Sequence, residues 1–169
     1  RDVVFLARHG HGHTIPPHEV NYRANIWALH QLGIRRVIAV AAVGGIHAEL
    51  GPAALAVPDQ IIDYTWGRAH TFSEEGRVLH ADCTEPYDGA LRDALIAAAA
   101  RAQVAVMPNG IYAVMQGPRL ETAAEICKLR AEGCTMVGMP AMPEAALARE
   151  LGLAYATLAV SVNWAAGLG

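Results

Sequence analysis

Short runs of consecutive apolar residues alternate with segments of helical spacing along the chain. That alternation narrows the fold more than any other feature. Val37 to Val43 is unbroken apolar sequence and stops at Gly44-Gly45. A run of that length, closed by glycines, reads as a buried strand meeting a tight turn. Val3 to Ala7, Val57 to Tyr64, Ile111 to Met115, Met136 to Met139 and Ala154 to Val162 read as further strands. Between them, Glu19 to Leu32 places Val20, Ala24, Trp27 and Ala28 near helical spacing, and Gly33 fits the C-terminal cap. Asp88 can cap a helix running through Ala102. Thr122 to Glu132 reads as a helix closed by Gly133. Pro143 suits a first helical position, Glu144 favours the positive end of the helix dipole, and Gly152 ends that helix. The pattern predicts a single α/β domain over residues 1–169. Gly67 to Pro86 is polar and irregular, and long loops inside compact domains are often functional.

Composition excludes several classes. Apolar residues make up 53% of the chain and charged residues 17%, which is not the make-up of a disordered protein. The net charge is −3 with no basic run, so no nucleic-acid partner is expected. No apolar run reaches the roughly 18 residues of a membrane helix, so no membrane partner is expected either. The apolar start is too short for a signal peptide. Cys83, Cys127 and Cys134 are odd in number and form no C-x-x-C pair. They read as reduced thiols of a cytoplasmic protein. The chain opens on a strand and closes without a terminal helix, which predicts further segments on both sides.

Five constellations could carry chemistry. Arg8-His9-Gly10 follows the first apolar run. A guanidinium offers a rigid two-donor fork and an imidazole a third donor, which together suit an oxyanion. The same three residues fit a phosphohistidine nucleophile or a plain solvated loop. His9, His11 and His13 would share one face of a strand as metal ligands, but the intervening glycines weaken the strand and no carboxylate is adjacent, so no metal is expected. Ala42-Val43-Gly44-Gly45 allows backbone N–H groups to approach a ligand closely. Gln116 to Thr122 sets Gly117-Pro118 between strand and helix, with Glu121 as a fixed acceptor or merely a favourable N-terminal acid. Asn163, at the end of the last strand, lies where α/β ligand crevices form, and its amide can donate and accept at once.

Taken together these stretches resemble the purine nucleoside phosphorylase family, in the branch that includes methylthioadenosine and methylthioinosine phosphorylases. The carrying motifs are Ala7 to Gly10, Val20 to Leu29 with its Asn-Tyr-Arg-Ala-Asn core, Gln116 to Glu121, and Met142 to Glu150. The resemblance implies a mixed central sheet flanked by helices, the purine/uridine phosphorylase-like fold. It implies phosphorolysis of a purine nucleoside with phosphate as co-substrate and no other cofactor, in a homotrimer or a dimer of trimers. Arg8 and His9 would bind phosphate, with the backbone at Ala42. Met139 would pack under the ribose beside Val43 and Gly44. Leu120 and Glu121 would line the base pocket, with Asn163 at the purine N7 and O6 edge. His80 would reach a neighbour's 5′-substituent pocket.

The base-facing residues carry a preference. Methylthioadenosine phosphorylases place a Ser where Glu121 stands and aspartates at the purine edge. Here Glu121 can accept from ring N1–H, and the Asn163 amide can donate to O6 or N7. That set matches a 6-oxopurine, as in methylthioinosine or inosine. A 6-amino group would be left mispaired at about 1–3 kcal/mol. A methylthioadenosine-preferring enzyme and an impaired purine-binding homologue are the alternatives. Against the family pattern, Pro140 replaces a Thr that contacts phosphate, Ala41 replaces a Thr or Asn, and the Gly-rich phosphate loop would precede Arg1.

Overall fold

The computed structural model describes residues 3–169. Its elements are α1 (Tyr22–Gln31), β1 (Arg36–Gly45), β2 (Leu55–Ala56), β3 (Gln60–Asp63), α2 (Gly89–Arg101), β4 (Ile111–Val114), α3 (Ala123–Ala131), β5 (Cys134–Gly138), α4 (Ala141–Glu150) and β6 (Ala154–Trp164). The six strands form one sheet in the order β2-β6-β1-β5-β4-β3. The β1–β6, β3–β4 and β4–β5 pairs are parallel. The β1–β5 and β2–β6 pairs are antiparallel. The fold is therefore a mixed α/β domain.

Local chemistry sets the element ends. Asn21 caps α1 by accepting from Ala24 N–H, and Asp88 caps α2 by accepting from Leu91 N–H. Thr122 and Glu125 form a reciprocal capping box on α3, which satisfies two otherwise orphaned N–H groups. In α4, Met142 departs from helical geometry, so the regular turns begin at Pro143 as expected. Helices α1 and α4 pack against the sheet through Ile26, Leu29, Leu147, Ala148 and Tyr155. Helix α3 covers another part through Ile126 and Leu129.

Three expectations need correction. Val3 to Ala7 forms no strand and is exposed. A strand needs a hydrogen-bonding edge, and among the described residues this segment meets none. Of Val57 to Tyr64 only Gln60–Asp63 forms strand, β3; Pro58, which lacks an N–H, lies between it and the short β2 that precedes Val57. β1 is not covered on both faces. Its residues alternate, with Ala39, Ala41 and Val43 buried while Ile38, Val40 and Ala42 are exposed. The outward face, with Phe5, Leu6 and Ile38, borders a groove of about 730 Å³. Along residues 36–43, β1 pairs only with β6; β5 joins it at Gly44 and Gly45.

Candidate functional site

The parallel β1–β6 pair brings its two carboxyl ends to one place. Gly44 lies opposite Asn163, and the register shifts between Val43 and Gly44. Gly45 has no room for a side chain, because a Cβ there would collide with the Leu50 carbonyl. A cavity of about 410 Å³ opens at this end of the sheet. Arg8, His9 and Ala42 line one part of it. Val43, Gly44 and Met139 line another, and Leu120, Glu121 and Asn163 a third. His80 is not among the lining residues; it is exposed on the long loop.

Arg8 is fixed on several sides. Its Nε and Nη2 donate to the two carboxylate oxygens of Glu144, at 2.6 and 2.9 Å. Its Nη1 donates to the Val40 carbonyl at 3.1 Å. Burial alone would lower the Arg8 pKa, but the Glu144 carboxylate more than offsets it and the group is held above its ordinary value. Peptide groups two residues apart on a strand face the same edge, so the Ala42 N–H points to the edge Arg8 occupies. His9 Nδ1 lies 2.9 Å from the Ile15 carbonyl. A carbonyl only accepts, so Nδ1 carries the proton and donates. The segment around it is a run of turns, with positive φ at Gly10, Gly12 and His13. These turns break the strand alternation that would have aligned His9, His11 and His13.

The base-facing part is more open. The Asn163 amide donates to the Trp164 carbonyl at 2.5 Å and its side chain is exposed. Glu121 precedes the Thr122 cap of α3 and is partly buried; loss of water raises its carboxyl pKa above the ordinary range. Gly117 holds the turn before it with φ +64, and a Cβ there would strike the Met139 sulfur. Pro140 also lines the cavity and contributes no N–H.

Two buried residues beside the cavity carry no site role in the sequence reading. Glu144 is buried, and besides Arg8 it accepts from the Tyr155 hydroxyl at 2.8 Å. Arg68 comes from the long loop and is also buried. Its Nη1 donates to the carbonyls of Met139, at 2.7 Å, and Met142, at 2.5 Å. Its Nη2 donates to those of Gln116, at 2.9 Å, and Met115, at 3.3 Å. The guanidinium also stacks over the Tyr22 ring, 5.0 Å from its centre. One side chain therefore ties the β4–α3 turn to the β5–α4 turn. The only sequence signal was its place in a long loop.

The phosphorylase superfamily model matches residues 1–169. The chain belongs to the phosphorylase superfamily. A Xylella fastidiosa protein named "Probable S-methyl-5'-thioinosine phosphorylase" is 57% identical over 169 residues, covering 99% of this chain and 71% of the relative. The 6-oxopurine nucleoside phosphorylase of Pyrococcus furiosus is 51% identical over 174 residues, covering 99% and 66%. The apo structure of Schistosoma mansoni methylthioadenosine phosphorylase superposes with a TM-score of 0.92 at 37% identity. That match covers 95% of this chain and 65% of the solved one, so the chain spans about two thirds of the proteins it resembles.

Replacing Arg68 with Met strands the carbonyls it now satisfies. We expect Arg68→Met to destabilise the fold by about 2 kcal/mol. A urea unfolding midpoint equal to that of the parent would contradict the role assigned to this side chain.

Proposed function

We propose that this domain carries the site of a purine nucleoside phosphorylase that prefers 6-oxopurine (methylthio)nucleosides. One observation carries the reading: Arg8 and His9 line the same cavity as Glu121 and Asn163. Anion donors and base-reading groups therefore share one space of small-molecule size. The named relatives support it, since two of them act on 6-oxo substrates by name.

The reaction needs phosphate as co-substrate and no other cofactor. Arg8, His9 and the Ala42 N–H hold phosphate below the anomeric carbon. With Nδ1–H spent on Ile15, His9 has only Nε2 left to meet the phosphate. Met139, with Val43 and Gly44, supports the ribose. The glycosidic bond stretches, the ribosyl ring becomes oxocarbenium-like, and negative charge grows on the purine. Asn163 donates to the N7/O6 edge and Glu121 accepts from N1–H, so the leaving group is stabilised where its charge develops. The exposed Asn163 amide must exchange Trp164 for the purine to do this. A phosphate oxygen bonds to the anomeric carbon as the carbon–N9 bond breaks, and the phosphate hydroxyl proton passes through solvent to the departing purine, giving a ribose 1-phosphate and the neutral free base. Leu120 closes the base pocket.

The proposal extends to assembly and location. Trp66 is 72% exposed, a large apolar side chain that a homotrimer or dimer of trimers would cover. His80 on the exposed loop then reaches a neighbour's 5′-pocket. Sedimentation of the full-length protein should give a trimer or hexamer; a monomer would remove His80 from the site. Among the described residues no helix is long and apolar enough to cross a membrane. The free thiols Cys83, Cys127 and Cys134 support a cytoplasmic location.

Full-length protein should cleave methylthioinosine and inosine, only with phosphate present, and methylthioadenosine at least tenfold less well, about 1.4 kcal/mol. Preference for methylthioadenosine would refute the base-reading assignment. Asn163→Asp should shift selectivity toward 6-aminopurines in the same assay.

Glu121 must be ionised to accept from N1–H. Its pKa is raised, so kcat/KM for inosine should fall with decreasing pH from above the usual carboxylate range. In Glu121→Gln that acid limb should vanish; an unchanged pH profile would assign the limb to another group.

A further inference from the structure

The reaction described above leaves one buried carboxylate without a task. Glu144 is 5% exposed and sits in the first regular turn of α4. It borders the groove behind Arg8, not the cavity in front of it. Arginine carries five N–H donors. In Arg8, Nε–H and one N–H of Nη2 go to Glu144, and one N–H of Nη1 goes to Val40. One N–H remains on each terminal nitrogen.

We propose that Glu144 is a positioning residue for phosphate capture. It grips the inner side of the Arg8 guanidinium and leaves the terminal pair of N–H donors for the anion. The inference rests on the reading that Arg8 binds phosphate. Its physical basis is preorganisation. A free Arg side chain gives up rotamer entropy when fixed, and here that ordering precedes ligand arrival. Three elements share the holding: Val40 of β1, Glu144 of α4, and Tyr155 of β6, whose hydroxyl donates to Glu144 Oε2. Tyr155 is itself 2% exposed, which fixes the far end of the chain of contacts.

A competing physical picture predicts the opposite sign. If Glu144 merely neutralised Arg8 and competed with phosphate, its removal would free the cation and tighten phosphate binding. Kinetics of the full-length protein with phosphate varied at saturating inosine separate the two. Glu144→Gln puts an amide donor against the Arg8 donors and should raise the phosphate KM on the order of tenfold. The inosine KM should stay within about twofold, because the base-reading groups are untouched. Glu144→Asp keeps the charge and should restore part of the loss. Tyr155→Phe keeps the ion pair, removes one hydrogen bond, and should raise the phosphate KM by a smaller factor. It decides the matter if the Gln variant does not fold. An unchanged or lowered phosphate KM in the folded variants overturns the inference, as does an equal rise in both KM values. Arg8→Ala tests the underlying reading separately: if it leaves the phosphate KM unchanged, the phosphate assignment itself fails.

Discussion

The parallel pairing of β1 with β6 is the constraint on which the rest depends. Parallel strands end in the same direction, so the residues after Val43 and after Val162 arrive side by side. That brings Gly44 opposite Asn163 although they are far apart in sequence. β5 joins β1 only at Gly44 and Gly45, and so delivers Met139 to the same end. The cavity is what remains where three strand ends meet and their ladders stop matching. Its position follows from topology; its chemistry follows from the few side chains placed on those ends.

Much of this was legible in the sequence because local signals and the fold agreed. Asp88 and Gly33 marked helix ends through capping chemistry that needs no tertiary partner. The convergence of Glu121 with Asn163 was readable through family resemblance, and the geometry brings both to one cavity. What failed depended on partners. Val3 to Ala7 has strand composition, yet composition cannot state whether an edge is available. The run Val37 to Val43 is apolar on both faces, but nothing among the described residues covers Ile38 and Val40. Glu144 looked like a helix-dipole acid, and its distant partners Arg8 and Tyr155 left no trace in local spacing.

The Arg8 and Arg68 guanidinium groups, one half-buried and one buried, show opposite solutions to one problem. Removing a cation from water is costly unless its donors are matched. Arg8 is matched by a carboxylate, which also keeps it charged. Arg68 is matched at its two terminal nitrogens by neutral backbone carbonyls and an aromatic face, while its Nε finds no partner among the described residues, and burial lowers its pKa although nearby groups pull the other way. The first arrangement is strong because of charge. The second is strong only while four peptide groups keep their relative positions.

That dependence makes Arg68 a fuse. The carbonyls it holds belong to the two turns that wall the cavity, while the side chain itself belongs to the surface loop between β3 and α2. When the loop lifts, the guanidinium leaves with it and water takes over the carbonyls. Both walls then slacken although the sheet beneath them is intact. A local opening of that loop would therefore loosen the cavity walls at a free energy below that of global melting.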